Sequence, residues 1–146
     1  MTSTHGEKGL ALREAVAVDA PAVIALWQAV GLTRPWNDPT DDFHRALAAA
    51  DAAILILAAA DAVVASVMVG YDGHRGWIYY LAVAPAYRRQ GHGGALMAAA
   101  ETWLRQRGAP KLQLMVREDN EEALAFYETL GLERQKVVTL GRFLKG

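Results

Sequence analysis

Hydrophobic and polar positions change their period several times along the chain, and each change marks an element. Leu10 to Arg13 is a short strand candidate, after which Asp19 offers a helix N-cap and Pro21 suits the first turn. Val23, Leu26, Trp27 and Val30 recur at i, i+3, i+4 and i+7, one apolar helix face that Gly31 ends. Turn-rich Leu32 to Pro39 follows, then a second helix over Pro39 to Ala50. Ile54 to Leu57 and Val63 to Gly70 read as strands around a turn at Ala60 and Asp61, with Val63, Ala65, Val67 and Val69 on one face. Tyr71 to Gly76 (YDGHRG) is a hairpin loop leading into a third strand, Trp77 to Val83, which completes an antiparallel meander.

A long helix is predicted over Gly93 to Arg107, with Leu96, Ala99, Ala100, Trp103 and Leu104 facing inward and Glu101 paired with Arg105 outside. Gly108 and Pro110 stop it. Lys111 to Val116 alternates Leu112, Leu114 and Val116 as another strand, and Asn120 caps a helix running to Leu130. Leu132 to Leu144 is expected to supply one or two more strands. The order βααβββαβαββ predicts an α+β fold with a mixed, mostly antiparallel central sheet flanked by about four helices.

At 146 residues and 53% hydrophobic, the chain is expected to be a single domain over 1–146, with residues 1–9 as a flexible tail. The absence of cysteine excludes a thiol nucleophile, a disulfide and a thiolate metal site, and fits a cytoplasmic location. Fifteen Lys+Arg against sixteen Asp+Glu give a net charge of −1, so no global field attracts nucleic acid or anionic lipid. The longest apolar stretch, Ala52 to Ala60, is far shorter than the roughly 20 residues of a membrane span. No pair of histidines has metal-ligand spacing, and no metal is expected. His5 falls in the tail, His44 on an exposed helix face, and His92 where its backbone matters more than its ring.

Chemistry concentrates between the third strand and the long helix, where Arg88, Arg89, Gln90, Gly91, His92, Gly93 and Gly94 form an anion cradle. Glycines admit close backbone approach, and a helix N-terminus contributes roughly half a positive charge. A diphosphate ester suits it. A dinucleotide fingerprint is excluded because its third glycine position holds Leu96 and the preceding strands form a meander; no P-loop run exists.

Leu81 to Gly93 resembles the acetyl-CoA motif of the GNAT acetyltransferase superfamily, [RQ]-x-x-G-x-[GA], met by Arg88, Gly91 and Gly93. A second motif lies at the expected distance: Val116 to Asn120, Ala123, Tyr127-Glu128 and Leu130-Gly131-Leu132. RPWNDP, YDGHRG, YYLAV and Leu140-Gly141 are further similar to bacterial YpeA-type acetyltransferases. The resemblance implies that Gln90, Gly91, His92, Gly93 and Gly94 hold the CoA pyrophosphate with Arg88 or Arg89 nearby, and that the backbone of Leu81, Ala82 and Val83 pairs with pantetheine. It also implies Asn120 as a pantetheine contact and Tyr127 as the general acid for the departing thiolate. Helix capping is an alternative for Asn120, and core packing for Tyr127.

Where many relatives carry a glutamate base, this chain has Trp77 and Met115. Tyr79, Tyr80, or a water held by Asp72 or His74 are the remaining base candidates, with turn structure as the competing explanation for the last two. Trp36, Asn37, Asp38 and Tyr79 are expected to line the acceptor pocket, although Trp36 could plug a sheet edge and Asp38 could cap a helix. The reaction so implied is acetyl transfer from acetyl-CoA to a primary amine of a small molecule, peptide or protein. A CoA-binding sensor or partner-binding module is the alternative, and the exposed last strand of such a sheet makes a homodimer a further expectation.

Overall fold

A computed structural model describes residues 9–60 and 62–145, so residues 1–8 of the expected tail, His5 with them, and Asp61 of the expected turn lie outside the described residues. The described chain divides between Met115 and Val116 into two compact units. The first holds β1 (Ala11–Glu14), α1 (Ala20–Ala29), α2 (Pro39–Ala48), β2 (Ala52–Ala59), β3 (Ala62–Tyr71), β4 (Gly76–Val83), α3 (His92–Gln106) and β5 (Leu112–Leu114). Its sheet runs β1-β2-β3-β4-β5, antiparallel except for the parallel β4–β5 pair. The second unit holds α4 (Glu121–Thr129). Four α-helices and a mixed, mostly antiparallel sheet among the described residues are the expected fold class.

Local chemistry explains most boundaries. Asp38 caps α2, its Oδ1 accepting the Thr40 N–H at 2.9 Å, with Pro39 at the first helical position. Asp19 stands at the α1 N-cap, but its carboxylate points elsewhere. It accepts two hydrogen bonds from Arg13 (2.8 and 2.9 Å) and one from the Val16 N–H (2.7 Å), tying β1 to the entry of α1. The Arg13 hydrogen bonds hold its carboxyl below the usual aspartate range.

On one face of the sheet, Val23, Leu26 and Trp27 of α1 and Phe43 and Ala46 of α2 cluster with Ile54, Ile56, Ala58 and Ala82. Helix α3 packs on β2, β3 and β4, with Leu96, Met97, Ala100, Trp103 and Leu104 buried. Gly76, the first residue of β4, lies directly under Leu104: a Cβ there would come within 2.5 Å of the leucine Cδ1. Gly76→Val is therefore expected to destabilise the fold by about 1–3 kcal/mol through overpacking. Urea unfolding measures this, and adding Leu104→Ala should restore part of the loss by vacating the contested volume.

Two expectations are corrected. The strand expected over Lys111 to Val116 is confined to β5, Leu112–Leu114. The one or two strands expected over Leu132 to Leu144 do not form; the described residues beyond α4 contain no strand, and Val137, Val138, Leu140, Phe143 and Leu144 are 70–95% exposed. Apolar residues of high β-propensity make a strand only where a neighbouring edge supplies backbone partners and a surface covers one face, and this segment has no such ladder. Among the described residues no helix is long and apolar enough to cross a membrane.

Candidate active site

The third strand of the meander carries an irregularity that its sequence does not announce. Met68 pairs with Tyr79 and Ser66 with Ala82, so Tyr80 and Leu81 together oppose Val67 in a β-bulge. The bulge reverses the facing of the strand: alternation from Gly76 through Ile78 would aim Ala82 at α3, yet Ala82 belongs to the α1–α2 cluster. Tyr80 adopts φ +55, the left-handed region, where a bulky side chain costs about 1–2 kcal/mol. Three neighbours hold it there. Its ring stacks on Trp27 at 3.9 Å between centroids and 13° between planes, and its hydroxyl donates to Asp42 Oδ2 at 2.6 Å. Trp27 Nε1 donates to Ser66 Oγ at 2.9 Å, and that hydroxyl in turn reaches the Tyr80 carbonyl at 3.4 Å. Burial first, and then the bond to Asp42, push the Tyr80 phenol far above its usual value, so it is a fixed donor at neutral pH.

Just past the bulge the sheet opens. Parallel pairing of β4 with β5 covers Gly76 to Ile78 and then stops, leaving Tyr79 to Val83 with no ladder on that side among the described residues. The Ala84 N–H is given to Val64 in β3 at 2.8 Å, so strand alternation directs the N–H groups of Val83 and Leu81 to the open edge.

The open edge runs straight into the cradle. A 3-10 turn, Pro85–Tyr87, is followed by exposed Arg88, Arg89 and Gln90; Arg89 (φ +63) and Gly91 (φ +83) are left-handed, and Gly91 is the N-cap of α3. The first intrahelical bond is Ala95 N–H to Gly91 O at 3.0 Å, which leaves the N–H groups of His92, Gly93 and Gly94 without a helical acceptor. A helix of fifteen residues stands behind them. Free backbone donors, two arginines and an unpaired strand edge fit a diphosphate ester that carries an amide-bearing arm. The His92 ring is buried at 4% exposure with its Nε2 unpartnered, 6.2 Å from the Tyr87 ring, and so packs under the loop.

The other predicted residues fall into three groups. Asp72 and His74 sit in the turn that precedes β4, at the opposite end of this eight-residue strand from Val83, about 23 Å by strand rise. Both Asp72 oxygens are engaged: Oδ1 by the N–H of His74 (2.8 Å) and Arg75 (2.7 Å), Oδ2 by Trp77 Nε1 (3.1 Å). Those bonds, the Arg75 N–H foremost, lower its pKa and make it a poor base. The structure therefore keeps the hairpin at the far end of β4 from Val83, although the Asp72 charge still reaches Tyr79. Trp36 (54% exposed), Asn37 and Asp38 share the α1–α2 loop, and Asp38 is occupied as a cap. Tyr79 is 43% exposed, its phenol raised by burial and then by the Asp72 charge.

In the second unit, Asn120 Oδ1 accepts the Ala123 N–H at 3.1 Å, so its cap is made. Tyr127 lies on α4 edge-on to Phe126 at 5.1 Å, and burial raises its pKa. Asp42 and Ser66 carry no local sequence signal, and Trp27 reads only as part of an apolar helix face. Their partners are separated by 38, 14 and 39 residues, so no local spacing signals them.

A model of the acetyltransferase (GNAT) family matches residues 20–132. An acetyltransferase of Yersinia enterocolitica is 46% identical over 126 residues, covering 86% of this chain and 89% of that protein. An acetyltransferase of Pectobacterium atrosepticum is equally similar, with the same coverage. Among solved structures, the aminoglycoside N-acetyltransferase AAC(6')-Iy in complex with CoA has the same fold, with TM-score 0.79, 17% identity and 93% and 95% of the two chains covered. An aminoglycoside acetyltransferase from an uncultured soil metagenomic sample, in complex with sisomicin, gives TM-score 0.76 and 20% identity over 95% and 99%.

Proposed function

Because the chain belongs to the GNAT acetyltransferase family, we propose that this acetyltransferase moves the acetyl group of acetyl-CoA to a primary amine by direct attack within a ternary complex. One observation carries the donor assignment: within a single stretch, residues 79–94, an unpaired strand edge leads into a glycine-capped helix N-terminus. Bound acetyl-CoA supplies a thioester, so that a C–N bond forms as the C–S bond breaks, the amine loses a proton and the thiolate gains one.

The backbone of Gln90 to Gly94, with Arg88 and Arg89, binds the pyrophosphate. Leu81 and Val83 offer N–H groups to the pantetheine arm, and that of Val83 to the thioester oxygen as it gains negative charge. Asn120 contacts pantetheine, and Tyr127 gives its proton to the sulfur. Trp36, Asn37 and Tyr79 contact the acceptor. With Asp72 and His74 at the far end of β4, the amine reacts from its neutral form, so the rate rises with pH towards the pKa of the acceptor. The ligands bound by fold neighbours, a CoA-linked aminoglycoside analogue and sisomicin, support small polyamines as the first acceptors to try.

Acetyl-CoA at a hundredfold excess over Kd should stabilise the fold by about 2.7 kcal/mol, and an unchanged melting curve at millimolar acetyl-CoA would overturn the donor reading. With donor bound, thiol release monitored with a thiol-reactive dye should begin only on adding an amine from a panel of aminoglycosides, polyamines and peptides. Binding without release from any amine would make the protein a CoA sensor instead.

A further inference from the structure

We propose that Asp42 and Trp27 are positioning residues acting through Tyr80: by fixing its hydroxyl and its ring they keep the β4 bulge left-handed, and so aim the Leu81 and Val83 N–H groups at the bound donor. The inference rests on the donor reading above and adds to it a control element reaching from α1 and α2.

The starting observation is the outlier itself. Tyrosine at φ +55 has no intrinsic reason to stay there, since the left-handed region is one that glycine, and sometimes asparagine, occupies readily. Such a conformation persists only where the surroundings over-determine it. Here each constraint comes from a different element: the stacked Trp27 ring from α1, the Asp42 carboxylate from α2, and the Ser66 hydroxyl from β3. Ser66 also fixes Trp27, through the indole N–H, so the ring against which Tyr80 stacks is itself anchored to the strand opposite the bulge.

What the constraint controls follows from its place in the chain. Tyr80 is the first bulge residue, and the peptide that carries the Leu81 N–H begins at its carbonyl. Rotation of Tyr80 back to extended geometry would remove the extra residue's offset and turn Leu81 and the following peptides away from the open edge. Asp42 lies in the first turn of α2, directly after the loop bearing Trp36, Asn37 and Asp38, and its other oxygen accepts from Arg45 at 3.0 Å. The tyrosine hydroxyl thus ties the start of the acceptor-side helix to the donor-side strand.

Two small changes separate this role from others open to Asp42. Tyr80→Phe removes one hydroxyl and keeps the stack. Asp42→Asn keeps an oxygen that accepts from the hydroxyl but removes the charge, whereas Asp42→Ala removes both. Amide hydrogen exchange gives a readout that needs no acceptor: acetyl-CoA should slow exchange at Leu81 and Val83 in the native protein. That added protection should fall by about tenfold in Tyr80→Phe and Asp42→Ala and return in Asp42→Asn.

In turnover with an accepted amine, kcat should fall by about tenfold to a hundredfold in the first two variants, while KM for acetyl-CoA, set largely by the cradle, changes by less than about threefold. Native protection and kcat in Tyr80→Phe would overturn the proposal. So would an Asp42→Asn variant as impaired as Asp42→Ala, because it would show that the carboxylate acts through its charge, as a base or an ammonium anchor. Failure of the native protein to bind acetyl-CoA would overturn the donor reading and this inference with it; failure confined to the variants' pattern would overturn only the positioning role.

Discussion

Tyr127→Phe is expected to lower kcat by about 10²- to 10⁴-fold, the usual contribution of a positioned general acid, while leaving the melting shift given by acetyl-CoA intact. The expectation joins the resemblance of the Tyr127 segment to the family's second motif, on which the proposed acid role rests, to its surroundings on α4. Burial raises its pKa, so the phenol keeps its proton through the neutral range, the state an acid must be in to give one up. The sign of the pH dependence follows. Native kcat should lose this contribution only as the pH climbs above tyrosine's ordinary value near 10, and the Phe variant should show no such alkaline loss. Steady-state rates across pH, with the variant's fold checked by melting, measure both. Equal kcat in the two proteins would leave Tyr127 as packing beside Phe126.

The parts of this site that could be read from sequence are those written in local chemistry. The Asp38 and Asn120 caps and the left-handed glycines at 31, 91, 108 and 131 all depend on a few adjacent residues. The cradle is equally local, since it needs only glycines and arginines between a strand and a helix. The Tyr80 bulge is different. No glycine or asparagine marks it, and what stabilises it is a ring on α1, a carboxylate on α2 and a hydroxyl on β3 that meet only once the sheet is built.

Asp19 shows the same limit in miniature. Its position before Pro21 reads as an N-cap, yet Arg13, six residues earlier, captures the carboxylate. The segment from Leu132 to Leu144 errs the other way, because Val137, Val138 and Leu140 have strand propensity without a neighbouring ladder to realise it.

Trp27→Ala is expected to cost about 3–5 kcal/mol of stability, the scale of a buried aromatic truncated to alanine. Trp27 is fully buried, 6.2 Å from the Phe43 ring and stacked on Tyr80, so its removal empties the centre of the α1–α2 face. In a domain of this size the loss should appear as a melting point lower by roughly 10–20 °C. Size is only part of the effect, and a pair of gentler variants separates the rest. Ser66→Ala leaves the indole N–H buried without an acceptor, at about 1–3 kcal/mol, while Trp27→Phe keeps an aromatic ring and removes the donor. If the Trp27–Ser66 bond carries the effect, the double variant should lose less than the sum of the two single ones, since each breaks the same bond. Strict additivity in a urea-unfolding cycle would show that the hydrogen bond contributes little and that Trp27 stabilises by volume alone.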